Sequence, residues 1–230
     1  MALLQLDKEG NILETYATED FFWLQYLNYG YFVGYYTITD VPISWNVSIF
    51  AIRNGAVHEV KKLYSMDLIP INTTFGGLTW NKKNYYWAWT YASPTYPVIT
   101  FYRRLEYFNE KWKLIKTYTV ETNTLLGVYR GLVHDGKNIW AIISARMLLN
   151  EIEIDTYKPV KSFSISYGLI DPRDVTTDRK NFWVSYAGGS APNTLTVVCW
   201  DKEGNALDTF AIPGTVNEAI MTDGKHLYVS

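Results

Sequence analysis

Short runs of alternating apolar and polar residues fill most of the chain, and polar turns separate them. The most regular pattern is an apolar lead-in, a turn of the Asp-Gly-Lys type and a second run rich in aromatic residues. It occurs at residues 131–142, 174–185 and 219–230, and a diverged copy at 77–87 has Asn81 in place of the aspartate. Alternation with period two predicts β-strands, and a short polar turn between two such strands predicts a hairpin. The sequence therefore predicts an all-β chain made of hairpins.

The hairpins recur at a nearly constant interval. The Asp or Asn that begins each turn returns every 43 to 54 residues, and a second hairpin follows the first, most clearly at 196–211. Four antiparallel strands in a repeat of this length form one blade of a β-propeller. A fifth repeat near 28–33 has lost the turn motif and keeps only the strand-turn-strand pattern. We therefore predict a five-bladed β-propeller of four-stranded antiparallel blades.

The two ends of the chain supply the two halves of one blade. Residues 6–17 nearly repeat residues 200–211, both around an Asp-Lys-Glu-Gly-Asn turn. A β-sandwich would also be all-β, but it would not explain this duplication. We predict that the N-terminal hairpin completes the C-terminal blade, so that ring closure removes the open sheet edges there. The predicted single domain spans 1–230, and its blades cover residues 20–65, 72–119, 125–166, 169–211, and 215–230 with 1–18.

Composition narrows the class of protein. Hydrophobic residues make up 48% and charged residues 19% of the chain, which excludes intrinsic disorder. The net charge of −2 argues against nucleic acid as a partner, because binding phosphates needs a surplus of Lys and Arg. No apolar run is long enough to cross a membrane, and we see no signal peptide, so we expect a cytoplasmic or virion-associated protein. Cys199 is the only cysteine, which excludes an intrachain disulfide, and no cofactor or metal motif occurs, so we expect neither group.

The turn motif also resembles a known group of proteins. Residues 135–141 (Asp-Gly-Lys-Asn-Ile-Trp-Ala) and 223–229 (Asp-Gly-Lys-His-Leu-Tyr-Val) resemble the repeats of the NHL, YVTN and streptogramin-lyase group of β-propellers. The resemblance covers three copies and implies the propeller architecture. It implies no single activity, because the group includes scaffolds, ligand binders and enzymes. Its members usually have six or seven blades, so five blades would be a departure.

Two regions of a propeller of this sequence are candidate binding sites. The inner strands begin at the axis, and the charged residues predicted there form a possible polar ligand site: Arg130, Arg173, Asp171, Asp174, Glu218 and Asp20. The long links on the same face carry Trp45 and Tyr96, and such loops carry function more often than tight turns do. In the alternative interpretation the axial charges only neutralise one another around a solvated channel. The tight turns on the other face, including both Asp-Lys-Glu-Gly-Asn turns, are predicted to be structural.

Three functions remain open. Aromatic residues make up 17% of the chain; Tyr and Trp suit an interaction surface, although they also fill the cores between blades. The first hypothesis is a non-enzymatic scaffold that binds a protein partner through its aromatic loop face, as part of a virion or another assembly. The second is a glycan-binding module in which Trp45 or Tyr96 stacks on sugar rings. The third is a small glycosidase or lyase that uses two of the axial carboxylates as acid and base. The candidate carboxylates are Asp20, Asp171, Asp174 and Glu218.

Overall fold

Twenty β-strands and one 3₁₀ turn, Ser144–Arg146, make up the regular structure of the described residues, which contain no α-helix. The computed structural model describes residues 2–18, 23–28, 31–38, 44–66, 73–95, 98–122, 129–168, 171–187, 194–213 and 219–230. In chain order the strands are β1 (Ala2–Leu6), β2 (Ile12–Ala17), β3 (Trp23–Asn28), β4 (Tyr31–Ile38), β5 (Ser44–Arg53), β6 (Ala56–Met66), β7 (Thr73–Trp80), β8 (Tyr85–Thr95), β9 (Val98–Phe108), β10 (Leu114–Thr122), β11 (Tyr129–His134), β12 (Ile139–Ile143), β13 (Leu148–Ile152), β14 (Pro159–Ser164), β15 (Pro172–Thr177), β16 (Phe182–Ala187), β17 (Thr194–Trp200), β18 (Ala206–Pro213), β19 (Ile220–Thr222) and β20 (Leu227–Val229).

The strands form five antiparallel blades of four strands. Blade 1 is β3–β6, blade 2 is β7–β10, blade 3 is β11–β14, blade 4 is β15–β18, and blade 5 is β19 and β20 with β1 and β2. Blades 1 and 5 also meet at their outer strands, where one parallel bridge joins Ala17 of β2 to Ala56 of β6. The predicted five-bladed propeller is therefore confirmed.

The N-terminal hairpin closes the ring. Strand β1 pairs with β20 antiparallel, so that Leu4 lies opposite Val229 and Leu6 lies opposite Leu227. The inner strands β3, β7, β11, β15 and β19 contact one another in this cyclic order, and β19 returns to β3. The predicted composite blade is confirmed by both observations.

The aromatic residues fill the spaces between blades. Five core clusters lie one at each junction of neighbouring blades in the described structure. Between blades 3 and 4 the rings of Trp140 and Phe182 are 4.6 Å apart, and between blades 5 and 1 the rings of Tyr228 and Phe32 are 5.6 Å apart. Each large apolar side chain that is fully buried contributes about 1.5–3 kcal/mol. Much of the high Tyr, Trp and Phe content therefore has a structural use.

The two Asp-Lys-Glu-Gly-Asn turns are structural, as predicted. In one of them the Asp7 Oδ1 atom accepts backbone hydrogen bonds from Glu9 at 3.1 Å and Asn11 at 2.8 Å, and Asp201 does the same in the other. Gly10 and Gly204 both have φ of +89°, which favours glycine. Each glycine also packs directly on a phenylalanine of the preceding blade, as a Cβ on Gly204 would lie only 2.8 Å from Phe163. These turns therefore hold neighbouring blades together.

Candidate functional site

A cavity of about 380 Å³ lies at the axis, where the inner strands end. All five blades line it, through the ends of β3, β7, β11, β15 and β19 and the turns that follow four of them. We call this cavity the axial mouth, and its lining residues are Tyr26, Leu27, Trp80, Asn81, Lys82, His134, Gly136, Thr177, Asp178, Arg179, Thr222, Asp223 and Gly224. It opens on the face of the tight turns.

The proposed residues that the structure describes lie at the opposite end of the inner strands. Asp171 immediately precedes β15 and Asp174 is its third residue, whereas the axial mouth begins at Thr177, where β15 ends. Arg130 likewise stands at the start of β11. The remaining candidates Asp20, Glu218 and Tyr96, and the side chain of Trp45, lie outside the described residues. Ligand binding at that end of the ring stays a prediction.

Asp174 joins the inner strands of blades 4 and 5. Its side chain is 1% exposed, and its Oδ1 atom accepts a hydrogen bond from the Val175 backbone at 2.8 Å. Its Oδ2 atom accepts one from the Ile220 backbone in β19 at 3.0 Å. A Cβ on Gly131 of blade 3 would lie 2.7 Å from Oδ1, so a third blade also packs against this carboxylate. Asp174 is a structural link at the centre of the ring.

Of the other axial candidates, the structure brings Asp171 and Arg173 together. The Arg173 Nη2 atom is 3.0 Å from Asp171 Oδ2, and both side chains are partly exposed. Asp171 has φ of +70°, and its carbonyl accepts a hydrogen bond from the Ala187 backbone. Arg130 is half-buried on the neighbouring inner strand. The described part of this group therefore contains one ion pair and one buried structural carboxylate.

At the axial mouth, four turns share one chemistry. Each begins with an Asp or Asn whose Oδ1 atom accepts backbone hydrogen bonds from the residues two and three positions later, as in Asp135 with Lys137 at 2.9 Å and Asn138 at 3.0 Å. The other three turns begin at Asn81, Asp178 and Asp223. This pattern confirms the predicted structural use of the repeated turns. It also keeps these side-chain oxygens occupied.

Lysines from the next blade neutralise two of these turns. Lys8 in the outer turn of blade 5 lies 2.5 Å from Asp178 of blade 4, and Lys202 of blade 4 lies 3.5 Å from Asp135 of blade 3. Burial raises the pKa of both carboxyls, but the lysine and the hydrogen bonds outweigh it and lower each pKa below the ordinary 3.8. The same contact therefore recurs at two blade junctions.

His134 contributes a neutral ring to the lining. Burial lowers its pKa below 6.5, and Arg179 acts in the same direction while Asp135 opposes it. Its Nδ1 atom accepts a hydrogen bond from the Gly136 backbone at 2.9 Å, which leaves Nε2 as the protonated nitrogen. The ring stacks on Tyr86 at 5.9 Å. His134 therefore presents an uncharged N–H group.

Other chemistry is limited in the described residues. Within those ranges no group of three or more His, Cys, Asp or Glu side chains lies close enough to hold a metal ion. The Cys199 thiol is buried, and burial raises its pKa to about 11, so it is a poor nucleophile. The described structure also contains no helix long and apolar enough to cross a lipid bilayer.

Solved structures share the propeller fold with this chain. Glutaminyl cyclase from Myxococcus xanthus is 13% identical with a TM-score of 0.59, over 93% of this chain and 91% of that one. A chain of a nidogen–laminin complex is 14% identical with a TM-score of 0.56, over 100% and 84%. A protein of unknown function from Bacteroides caccae is 12% identical with a TM-score of 0.53, over 91% and 72%. At these identities the similarity concerns the fold alone, no family model matches the sequence, and no curated protein matches it significantly.

Proposed function

We propose that this chain is a non-enzymatic β-propeller scaffold that binds a protein partner. The observation that carries the proposal is a set of exposed aliphatic side chains on the outer strands, which we call the rim residues. They are Leu13, Ile115, Val160 and Leu207, which share one position in their strands and are 48–56% exposed. Ile12, Val60 and Leu114 at other positions of the outer strands are also exposed. Each rim residue belongs to a different blade, from blade 2 to blade 5.

The rim residues occupy the same position in each blade. Each is the second residue of its outer strand, and the first residue pairs with the last residue of the third strand, as Leu6 pairs with Ile12 and Trp200 pairs with Ala206. Single exposed aliphatic residues are common on protein surfaces, but recurrence at one position in four blades is not a scattered distribution. The equivalent Val57 of blade 1 is buried in the core cluster that includes Tyr16 of blade 5. The rim residues therefore occupy equivalent positions in blades 2 to 5, and the fifth equivalent position is covered by blade 5.

The chemistry of the rim favours protein over sugar. Aliphatic side chains pack well against apolar protein side chains, whereas sugar rings stack on aromatic faces. The described axial carboxylates also favour a scaffold over a hydrolase, since Asp174 accepts two backbone hydrogen bonds and Asp171 is paired with Arg173. General acid–base catalysis needs carboxyl groups free to exchange protons with a substrate.

Binding by variants of the rim tests the proposal. The rim variant carries Leu13→Thr, Ile115→Thr, Val160→Thr and Leu207→Thr, since threonine keeps the preference for β-strands and removes apolar area. The control carries Lys116→Thr and Asp208→Thr, which are the next residues along two of the same strands. Each protein is immobilised and exposed to a lysate of the source cells, and the captured proteins are quantified and cross-linked to map the contact.

We expect a protein that cross-links at the rim to be retained by the wild type and the control and lost by the rim variant. Equal capture by the rim variant would contradict the proposal. Sedimentation of the purified wild type measures its oligomeric state and so tests whether the partner is a second copy of this chain. In that case the wild type would be oligomeric and the rim variant monomeric.

A further inference from the structure

We propose that the axial mouth binds a small anionic molecule, with Lys82 and Arg179 supplying the positive charge. The ligand is a molecule with a phosphate or carboxylate group on a small apolar body. This inference concerns the turn face at the axis and is independent of the rim. The inference rests on the backbone conformation of Lys82 and Arg179, on their position in the lining of the axial mouth and on their charge.

Lys82 and Arg179 have a backbone conformation with positive φ, which residues other than glycine rarely adopt. Both are the second residue of an axial turn, with φ of +75° and +73°, and the equivalent residues in two sister turns are Gly136 at +106° and Gly224 at +92°. The turn geometry therefore favours glycine at this position. Strained backbone of this kind clusters at functional sites, where the side chain is needed more than the relaxed conformation. In both exceptions the residue present is a long cation that lines the axial mouth.

The two cations approach the same space from different blades. Arg179 belongs to blade 4, yet a Cβ on Gly136 of blade 3 would lie 3.9 Å from its Nε atom. Arg179 therefore reaches the turn of blade 3, on the side of its own blade that leads towards blade 2. Lys82 lines the cavity from blade 2. The arrangement suits one anionic group held between them.

The other charged groups of the axial mouth already have partners. Asp178 is paired with Lys8 and accepts two backbone hydrogen bonds. Asp223 accepts hydrogen bonds from the Lys225 and His226 backbones and from the Tyr228 hydroxyl at 3.1 Å. Lys82 and Arg179 form no ion pair with any residue in the described ranges. Asp223 keeps its negative charge, whereas Lys8 balances Asp178, so Lys82 and Arg179 still leave the axial mouth with a net positive charge.

The apolar part of the lining selects the rest of the ligand. Tyr26, Leu27 and Trp80 line it from blades 1 and 2 and offer aromatic and aliphatic surface. The neutral His134 ring adds a hydrogen-bond donor beside the cations. The volume of about 380 Å³ lies within the range of small-molecule sites, about 300–1,000 Å³. Phenyl phosphate combines a planar apolar body with a phosphate group and matches both the apolar and the cationic part of the lining.

Titration calorimetry with phenyl phosphate and with inorganic phosphate, at constant ionic strength, tests the site. The variants are Lys82→Gly and Arg179→Gly, which introduce the residue of the sister turns and therefore retain the turn. The matched controls are Lys83→Gln and Lys180→Gln, which remove the same charge from the next residue of the same turns without changing the lining. Thermal unfolding of every variant separates loss of binding from loss of folding.

We expect the wild type to bind phenyl phosphate more tightly than inorganic phosphate. Each glycine variant should lose about tenfold or more in affinity, while both controls stay within about twofold. The melting temperature of the glycine variants should equal or exceed that of the wild type. Absence of saturable binding to the wild type, unchanged binding in the glycine variants, or an equal loss in the controls would overturn the proposal.

Discussion

Replacing Asp174 by asparagine tests whether this residue links two blades or is available to a ligand. The exchange keeps the size of the side chain but replaces one carboxylate oxygen by an NH2 group. In the folded chain the two oxygens accept hydrogen bonds from the backbones of Val175 and Ile220. In Asp174→Asn one of these two buried backbone N–H groups therefore loses its acceptor. The new side-chain NH2 group, itself a donor, faces that N–H group instead.

The expected decrease in the free energy of unfolding follows from these two N–H donors. An unsatisfied buried polar group costs about 1–3 kcal/mol, so two facing donors should lower the free energy of unfolding by about 3 kcal/mol. For a chain of this length about 1 kcal/mol shifts the melting temperature by about 2–4 °C. We therefore expect a decrease of about 6–12 °C.

Asp171→Asn is the matched control. Asp171 forms a partly exposed ion pair with Arg173, and such pairs contribute about 0–1 kcal/mol. Asparagine tolerates the positive φ of this position as aspartate does. Urea unfolding followed by tryptophan fluorescence, together with calorimetry, compares the two variants with the wild type. A wild-type melting temperature for Asp174→Asn, or an equal loss in both variants, would refute the structural assignment of Asp174.

Three further predictions concern the blade junctions and the core. Gly204→Ala should lower the free energy of unfolding in urea by about 2–4 kcal/mol, because φ is +89° and the new Cβ would lie 2.8 Å from Phe163. Gly224→Ala, which has open space around it, should lower this free energy by about 1–2 kcal/mol. Equal losses in the two variants would contradict the packing of Gly204 on Phe163. Burial raises the pKa of Asp178, but its ion pair with a lysine of blade 5 and its hydrogen bonds outweigh burial and hold it below 3.8, so its stabilisation is present above about pH 4 and is lost at lower pH. Asp178→Asn should therefore flatten the acid limb of the stability–pH curve, and an unchanged limb would contradict this. Cys199, with its pKa raised to about 11, should react with a thiol reagent at pH 8 only after denaturation, and rapid labelling of the native protein would contradict its burial.

The features that could be predicted from the sequence are those that depend on local chemistry. An Asp or Asn that accepts hydrogen bonds from its own turn gives a recognisable turn motif. The motif recurs at an interval of one blade, and this interval indicates the number of blades. The duplication between residues 6–17 and 200–211 identified the composite blade, because both segments form the same outer hairpin. Local turn chemistry and the blade repeat agree in four of the five blades, and blade 1, which has lost the turn motif, keeps the strand-turn-strand pattern, so the architecture could be derived.

The candidate site depends on contacts between blades, and these leave no spacing in the sequence. Asp174 looked available for a ligand because its partner at Ile220 comes from another blade. The axial mouth could not be predicted in this way, because long loops mark the opposite face and loop length does not indicate where inner strands leave a cavity. One signal was present in the aligned turns, since Lys82 and Arg179 stand where two other copies have glycine.

Closure of the ring by the N-terminal hairpin is tested most directly by thermal unfolding of two altered chains. The first lacks residues 1–18 and with them β1 and β2, including the fully buried Leu3 and Leu6, and leaves an open edge on β20. The second is a circular permutant that begins at residue 19 and joins Ser230 to Ala2 through a short flexible linker, which retains every strand. We predict that the truncated chain aggregates or loses its cooperative transition, whereas the permutant melts as the wild type does. A truncated chain with the melting temperature of the full protein would contradict the five-bladed ring.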